Sequence, residues 1–322
     1  MLGRNLEREA KEKGVKLKYV YINLAYTPKP YHVMLELMER VFGSSTTGLS
    51  PEQMLGKIAK INKDVRIVIA LDEADTCIKE GRDQKIFYIL TRVHEFYSSA
   101  AGRISLIYIS RNLDWMKRLD PATLDTLGRT LAVQLDNYKL SEVRDIVSYR
   151  AEEAFLPGAI SDDLIDFIAN ISMGYGGVRY ALELMLGSGN IAELNLADSV
   201  RAEHVRMVHA SIPKGANGAI YPGELSLHKQ LLLKAVIEGL EASGKPYLSL
   251  DETYSSYRIV CEQSESEAEG INSVTTYLRD LSTDGYVLLY KKNGEIFVGM
   301  EYPFDRLKEI LERTLKEALQ YY

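Results

Sequence analysis

The sequence predicts an α/β domain, then a small all-helical unit, then a unit of helices and a β-hairpin. Three observations predict this order. Short apolar segments alternate with helical patterns in residues 1–137, helical patterns alone fill 138–215, and three helices precede a hairpin in 225–322. At 322 residues the chain has room for two domains of roughly 150 residues, or for three smaller ones.

Composition excludes several protein classes. Hydrophobic residues make up 46% of the chain and charged residues 26%, as in globular proteins, and the net charge is −6. This balance argues against a strongly basic nucleic-acid coat protein, although a local basic patch is compatible with it. Cys77 and Cys261 are far apart and the five histidines are scattered, so neither a disulfide framework nor a zinc motif is predicted. We expect an intracellular, cytoplasmic protein with no membrane partner, because no secretory signal or long apolar span is visible.

The first domain is predicted from three apolar strands at residues 17–23, 65–71 and 104–110. The second, VRIVIAL, is almost wholly apolar, which is typical of a central parallel strand covered on both faces. Helices are predicted between these strands at 31–42, from Ser50 onward and at 83–98. Ser50-Pro51-Glu52 is a helix start with a capping serine, a proline in the first turn and a favourable acid.

The rest of the chain is predicted to be helical except for a short strand at 247–250 and one hairpin. In 138–215, helices begin after Ser141 and Ser161, at 178–186 and at 198–211, and residues 212–223 form a linker. In 225–322, helices are expected at 225–241, 251–262, 272–281 and 303–321. Asn293-Gly294 predicts a tight turn between strands 286–290 and 295–300. Three helices followed by a two-stranded wing is the order of a winged helix-turn-helix.

Two strands deliver candidate catalytic groups to one sheet edge. Asp72 and Glu73 follow the strand at 65–71, where open α/β sheets place their ligands. In nucleoside-triphosphatases the first acid holds Mg²⁺, often through water, and the second polarises the attacking water. The alternative is an ordinary strand that ends in a polar turn. Asn112 follows the next strand and can orient the same water or touch the γ-phosphate. The alternative for Asn112 is a polar residue that caps a helix or lies in a loop.

Arg179 is the candidate that lies outside the first domain. It stands in Gly176-Gly177-Val178-Arg179 at a predicted helix start. An arginine there can reach a nucleotide and contact its γ-phosphate. The alternative is a solvated helix arginine.

Taken in order, these elements resemble the archaeal replication initiators of the Orc/Cdc type, members of the AAA+ superfamily. LDEAD at 71–75 is similar to the family's Walker B motif, Asn112 to its sensor 1, and Arg179 in GGVRYALELM to its sensor 2. HKQLLLKAVIEGL at 228–240 is similar to the first helix of its winged-helix domain. The resemblance covers almost the whole chain and implies a partial AAA+ parallel-sheet domain, a helical lid and a C-terminal winged helix. It also implies ATP or ADP with Mg²⁺, Asp72 holding the metal indirectly.

Two departures from the family bear on catalysis. The Walker A loop, whose backbone and lysine cradle the phosphates, is not found upstream of Walker B, and the chain begins in what resembles the helix after it. Beyond Leu119-Asp120-Pro121, where the family has its arginine finger, the nearest arginine is Arg129. We therefore expect no ATPase activity from this chain as given, and an AAA+ ATPase if a glycine loop precedes Met1.

The winged helix supplies candidate DNA contacts. Its third helix is expected to enter the major groove, with the wing near the minor groove. The candidates on that helix are Asn272, Ser273, Thr275, Thr276 and Arg279, whereas Val274, Leu278 and Leu281 are assigned to its core face. On the wing they are Lys291, Lys292 and Asn293, the lysines as phosphate contacts. The alternative is a solvated helix face and an ordinary turn.

Charge argues against tight DNA binding by this domain alone. Residues 225–322 hold 11 Lys and Arg against 16 Asp and Glu, a net charge of −5, and EQSESEAE at 262–269 precedes the third helix. A solvated loop facing away from DNA is the alternative for that acidic run.

The resemblance implies a replication initiator that binds origin duplex DNA under ATP control and helps to load the replicative helicase. Its expected partners are double-stranded DNA, other initiator subunits and that helicase, and its expected place is the nucleoid. The alternative is a degenerate non-ATPase paralogue that acts as a DNA-binding or protein-binding adapter. A STAND-type regulator, the third hypothesis, would carry a further C-terminal sensor or repeat region.

Overall fold

The computed structural model describes residues 2–27, 29–44, 47–79, 85–127, 132–212 and 222–319. The chain divides into two units, Met1–Gln134 and Leu135–Tyr322. Four predicted features fall partly or wholly outside the described residues: the start of the helix at 83–98, Arg129, most of the linker at 212–223 and the end of the last helix.

A parallel sheet forms the centre of the first unit. Its strands are β1 (Lys16–Asn23), β2 (Val65–Asp72) and β3 (Ile104–Tyr108), in the order β1-β2-β3. β2 lies between its two neighbours, and alternate side chains such as Ile67 and Ile69 are buried in the core. The predicted α/β sheet with an apolar central strand is confirmed.

Helices precede, connect and follow the strands of this sheet, and α3 begins at a complete capping motif. They are α1 (Leu2–Glu12), α2 (Pro30–Phe42), α3 (Pro51–Ala59), α4 (Thr76–Lys79), α5 (Lys85–Thr91), α6 (Val93–Phe96) and α7 (Pro121–Leu127). Ser50 caps α3 as its sequence predicts, and Gln53 completes a capping box with it. The single helix predicted at 83–98 is wrong, because α5 and α6 are separate. Thr91 Oγ1 donates to the carbonyl of Phe87, a side-chain bond that competes with the helical ladder where α5 ends.

The second unit begins with four helices. They are α8 (Leu140–Ala154), α9 (Asp162–Met173), α10 (Val178–Leu194) and α11 (Ala202–Ser211). α10 runs eight residues beyond its predicted end at Leu186, through Gly187 and Gly189. A Cβ at Gly187 would meet a Val208 methyl at 2.8 Å, and one at Gly189 would meet the Phe155 ring at 3.0 Å. These glycines therefore allow close helix packing and do not end the helix.

The remaining elements form the predicted winged helix. They are α12 (Leu227–Ser243), β4 (Tyr247–Ser249), α13 (Leu250–Gln263), α14 (Ile271–Thr283), β5 (Leu288–Lys292), β6 (Glu295–Gly299) and α15 (Asp305–Leu319). The antiparallel sheet has the order β4-β6-β5. Asn293 and Gly294 join β5 to β6 with φ values of 54° and 87°, the left-handed pair that a tight hairpin turn requires. The predicted hairpin is confirmed.

The helical part and the winged helix share a core within the second unit. Tyr247, Tyr290 and Phe297 of the small sheet pack against the apolar cluster of α8–α11. The Tyr247 ring meets Phe167 of α9 edge to face, with centroids 5.4 Å apart. The β4-β6-β5 sheet therefore packs against the helices α8–α11.

Candidate functional site

Asp72 is the last residue of β2, and both of its carboxylate oxygens are hydrogen-bonded. Oδ1 accepts the backbone N–H of Glu73 at 2.8 Å, and Oδ2 accepts the hydroxyl of Tyr21 at 2.6 Å. Asp72 and Glu73 are each half-buried. The hydrogen bond to Asp72 raises the pKa of the Tyr21 phenol, so this hydroxyl stays a donor at neutral pH.

The backbone around the two acids is held from both neighbouring strands. The N–H of Leu24 donates to the carbonyl of Asp72 at 2.9 Å, and the N–H of Ala74 donates to the carbonyl of Ile109 at 3.0 Å. Glu73 between them has φ of 53°, a left-handed conformation that is uncommon for glutamate. The turn of the chain after β2 is thus fixed between β1 and the segment after β3, and it places both acids at the carboxyl edge of the sheet.

Asn112 lies in the segment after β3, at the same edge of the parallel sheet. Its side-chain oxygen accepts the N–H of Asp114 at 3.0 Å and starts a short 3₁₀ turn. Trp115 Nε1–H donates to Ser110 Oγ at 2.9 Å, which ties this turn to the end of the strand. The exposed Asn112 side chain therefore serves as a local cap, the alternative weighed from the sequence. Its amide NH₂ makes no hydrogen bond within the described part of the chain and is the group left for a ligand.

Arg179 lies in the second unit, in the first turn of α10. It is exposed, and among the residues described the structure gives its guanidinium no ion pair or hydrogen bond. Gly177, the residue before the helix, has φ of 64° and ψ of −134°, a conformation that suits glycine alone. The glycine pair therefore sets where α10 starts and where Arg179 stands.

The chemistry of the acids fits Mg²⁺ with a nucleotide better than a metal held by protein alone. No group of three or more His, Cys, Asp or Glu side chains is arranged to hold a metal across the described ranges. Mg²⁺ is usually bound through one or two carboxylates plus phosphate oxygens and waters. A carboxylate offers about four lone-pair sites, of which Tyr21 and Glu73 use two on Asp72, so both oxygens can still accept.

The third helix of the winged helix, α14, presents one polar stripe. Val274, Leu278 and Leu281 are buried on its core face, as predicted. Asn272, Thr276 and Arg279, spaced by four and three residues, are exposed together along the opposite side. Ser273 and Thr275, the other two candidates on this helix, are half-buried.

The two wing lysines differ in their surroundings. Lys291 and Asn293 are exposed at the tip of the hairpin. The ammonium of Lys292 instead lies 2.7 Å from the carboxylate of Asp166 on α9, which is only 2% exposed. This hydrogen bond raises the pKa of Lys292. Lys292 is predicted from the sequence to contact phosphate, but in the structure its ammonium is paired with Asp166. No local sequence pattern indicates this ion pair.

One glutamate of the acidic run before α14 has polar partners on two helices. Tyr277 of α14 donates its hydroxyl to the Glu269 carboxylate, 2.9 Å from each oxygen. His228 Nε2 of α12 lies 3.7 Å from the same carboxylate. Glu269 thus holds the start of α14 against α12. Glu262, Glu265 and Glu267 are exposed, as expected for a solvated run.

The sequence analysis missed a second polar contact between the helical part and the winged helix, made by Arg206 of α11. Arg206 is 2% exposed, donates to the carbonyl of Met300 at 2.9 Å, and lies 4.5 Å from the Phe304 ring centre. Burial lowers the pKa of its guanidinium to about 10. The helical spacing of Arg206 among apolar residues of α11 was the sequence signal that could have indicated its burial.

No helix within the described ranges is both long and apolar enough to cross a membrane.

Two family models match the second unit. A Cdc6 AAA+ ATPase-type lid domain matches residues 144–210, and a CDC6 C-terminal winged helix domain matches residues 223–298. A curated relative, ORC1-type DNA replication protein 1 of Aeropyrum pernix, is 30% identical over 288 residues, which span 88% of this chain and 72% of the relative.

Solved structures match nearly the whole chain. Cdc6p of Pyrobaculum aerophilum has a TM-score of 0.79 at 23% identity, over 98% of this chain and 84% of that one. The Aeropyrum pernix ORC1 protein in complex with DNA has a TM-score of 0.54 at 26% identity, over 98% and 81%. The Aeropyrum pernix ORC2 protein in ADPNP–ADP complexes has a TM-score of 0.59 at 19% identity, over 99% and 83%.

Proposed function

This chain belongs to the Cdc6/Orc1 family of DNA replication proteins with the AAA+ fold, and on that premise we propose that it binds origin duplex DNA through α14. The observation that carries the proposal is the exposed stripe of Asn272, Thr276 and Arg279 on the third helix of a winged helix. Amide, hydroxyl and guanidinium groups are those that read base edges in the major groove. The similar ORC1 protein of Aeropyrum pernix has been solved in complex with DNA.

The test is a titration of the full chain with labelled duplex from a replication origin, followed by fluorescence anisotropy. Arg279→Ala should weaken binding by about 1–3 kcal/mol and relax sequence preference, because a base-reading arginine contributes about that much. Arg306→Ala, at an exposed arginine of α15, is the matched control and should bind like the wild type. Equal losses for both variants would contradict a reading role for α14.

We further propose that nucleotide regulates this binding. Bound Mg²⁺ neutralises phosphate charge and carries ordered water. Asp72 would hold that water-bound metal, Glu73 would orient the water near the γ-phosphate, and the Asn112 amide would donate to the same group. Arg179, exposed and without an ion pair among the described residues, would contact the γ-phosphate from the lid. Saturable binding of a fluorescent ATP analogue, weakened in an Asp72→Ala, Glu73→Ala variant, is the expected result.

Membership of the family supports a proposal about the wider role of the chain. We propose that the chain acts in the cytoplasm on the nucleoid, with other initiator subunits, and helps to load the replicative helicase. Helicase retained on origin DNA only when this chain is present would support the role. Equal retention without the chain would contradict it.

An adapter without ATPase activity is the second candidate function, and one observation favours it. The ion pair of Lys292 with Asp166 leaves Lys291 as the exposed lysine of a wing whose domain has a net charge of −5. Affinity for duplex DNA rests largely on phosphate neutralisation and falls steeply with salt. If the chain is an adapter, we therefore expect weak DNA binding with a shallow salt dependence and no response to nucleotide.

A further inference from the structure

Tyr21 lies outside every motif that marks the nucleotide site, yet its hydroxyl reaches the central acid of that site. We propose that Tyr21 is a positioning residue for Asp72, which fixes the carboxylate in the orientation that Mg²⁺-dependent nucleotide binding requires. The inference rests on the proposed nucleotide site. It adds a residue of β1 to the groups that β2 and the segment after β3 place at the same edge of the sheet.

The strand register makes this contact a feature of the sheet. Asn23 pairs with Asp72 and Tyr21 pairs with Ala70 across β1 and β2. Residues two apart on a strand share a face, so Tyr21 lies on the same face as Asn23, two residues before the end of β1. Its length brings the hydroxyl to 2.6 Å from Asp72 Oδ2. A shorter polar side chain at this position would not reach the acid.

Two donors then hold the carboxylate from opposite oxygens. Tyr21 donates to Oδ2, while the backbone N–H of Glu73 donates to Oδ1 from a residue with φ of 53°. The terminal torsion of an aspartate is broad, so without these bonds the group would sample many orientations. Hydroxyl and amide donors of this kind leave lone pairs free for a metal-bound water, because each oxygen has two.

The phenol is suited to this task because its hydroxyl donates one hydrogen bond to the carboxylate without placing a positive charge beside the metal. A lysine in its place would compete with Mg²⁺ for the carboxylate. Partners that orient metal-binding groups typically change metal affinity by about 10–100-fold when removed.

The test compares wild type with Tyr21→Phe, which removes one oxygen and keeps the ring. Tyr21 is 44% exposed, so the substitution leaves the core unchanged. Binding of a fluorescent ATP analogue is measured in EDTA and at increasing Mg²⁺. We expect the Mg²⁺ concentration for half-maximal effect to rise about 10-fold in Tyr21→Phe, with the affinity in EDTA unchanged. Tyr149→Phe, which removes the hydroxyl from another exposed tyrosine bonded to a glutamate, is the matched control.

The outcomes separate this inference from the function on which it rests. If wild type binds the analogue with a Mg²⁺ dependence that Tyr21→Phe shares, the positioning role is wrong and the nucleotide site stands. If wild type binds no analogue, the nucleotide site itself fails and the inference fails with it. A loss in EDTA equal to the loss in Mg²⁺ would indicate a general effect on the site and would also overturn the inference. In an Asp72→Asn background, Tyr21→Phe should change nothing further.

Discussion

Replacing Lys292 with methionine tests whether this wing lysine holds the fold together or contacts DNA. Its ammonium bonds to the Asp166 carboxylate at 2.7 Å and lies 3.6 Å from Asp163. Arg144 of α8 donates to the other Asp166 oxygen at 2.5 Å. Methionine keeps most of the chain length and removes the charge, so the variant leaves a buried carboxylate with one of its two cations.

The expected loss of folding stability can be bounded from the burial of the Lys292–Asp166 ion pair. A hydrogen bond to a charged group contributes about 1.5–3 kcal/mol. Lys292 is 37% exposed and Arg144 remains in place, so solvent and the second cation reduce the loss to about 1–2 kcal/mol. For a unit of 150–250 residues this corresponds to a fall in Tm of roughly 2–8 °C. Lys291→Met, one residue away and exposed, should stay within about 0.5 kcal/mol of wild type.

The assay pairs thermal unfolding with the salt dependence of DNA binding for both variants. Lys292→Met should lower Tm and leave the salt slope unchanged. Lys291→Met should leave Tm unchanged and reduce the slope by about 1, the loss of one phosphate contact. The reverse pattern, a stable Lys292→Met protein with a reduced slope, would refute the reasoning from the ion pair.

Two further predictions concern stability. The ion pair with Lys85 lowers the pKa of Glu52 from its ordinary value of 4.5 to about 2, so the stability it adds is present above pH 4.5 and is lost as pH falls toward 2. Because both side chains are about half exposed, Glu52→Gln should cost only about 0.5–1 kcal/mol at pH 7 in urea unfolding, and a difference that persists unchanged at pH 3 would be inconsistent with this. Gly177→Ala places a Cβ where φ is 64° and should destabilise the second unit by about 1–3 kcal/mol in the same assay. Its control, Gly174→Ala at φ of −79°, should be neutral or slightly stabilising, and equal effects at the two sites would argue against backbone strain.

Local sequence signals were sufficient for the elements that depend on local chemistry. The apolar run of β2, the Ser50 cap of α3 and the Asn293-Gly294 turn each specify their structure within a few residues, and all three are predicted from the sequence. The order of units followed from these elements. The single helix predicted at 83–98 is divided into α5 and α6 in the structure. Thr91, at the end of α5, donates its hydroxyl to the carbonyl of Phe87, and the spacing of apolar residues does not indicate this bond.

The features that were missed depend on residues far apart in the chain. Tyr21 and Asp72 are 51 positions apart, and Lys292 and Asp166 are 126 positions apart. The helix predicted at 178–186 ends before Gly187, yet α10 continues through this glycine, where a Cβ would meet a Val208 methyl at 2.8 Å. A wing lysine that pairs with a buried acid looks the same in sequence as one that faces a phosphate. Sequence therefore predicted the sheet edge that carries the two acids and the exposed polar face of α14, but not the partners that hold these side chains in place.

The most direct test of the central claim is a crosslinking measurement on α14. A photoactivatable crosslinker is placed at Thr276 in the middle of the exposed stripe and, separately, at Arg306 on α15, and each full-length protein is irradiated with origin duplex DNA. The account predicts crosslinks to bases from position 276 and none above background from position 306. DNA crosslinked equally from both positions, or not at all from 276 while the protein binds DNA, would contradict the assignment of α14 as the reading helix.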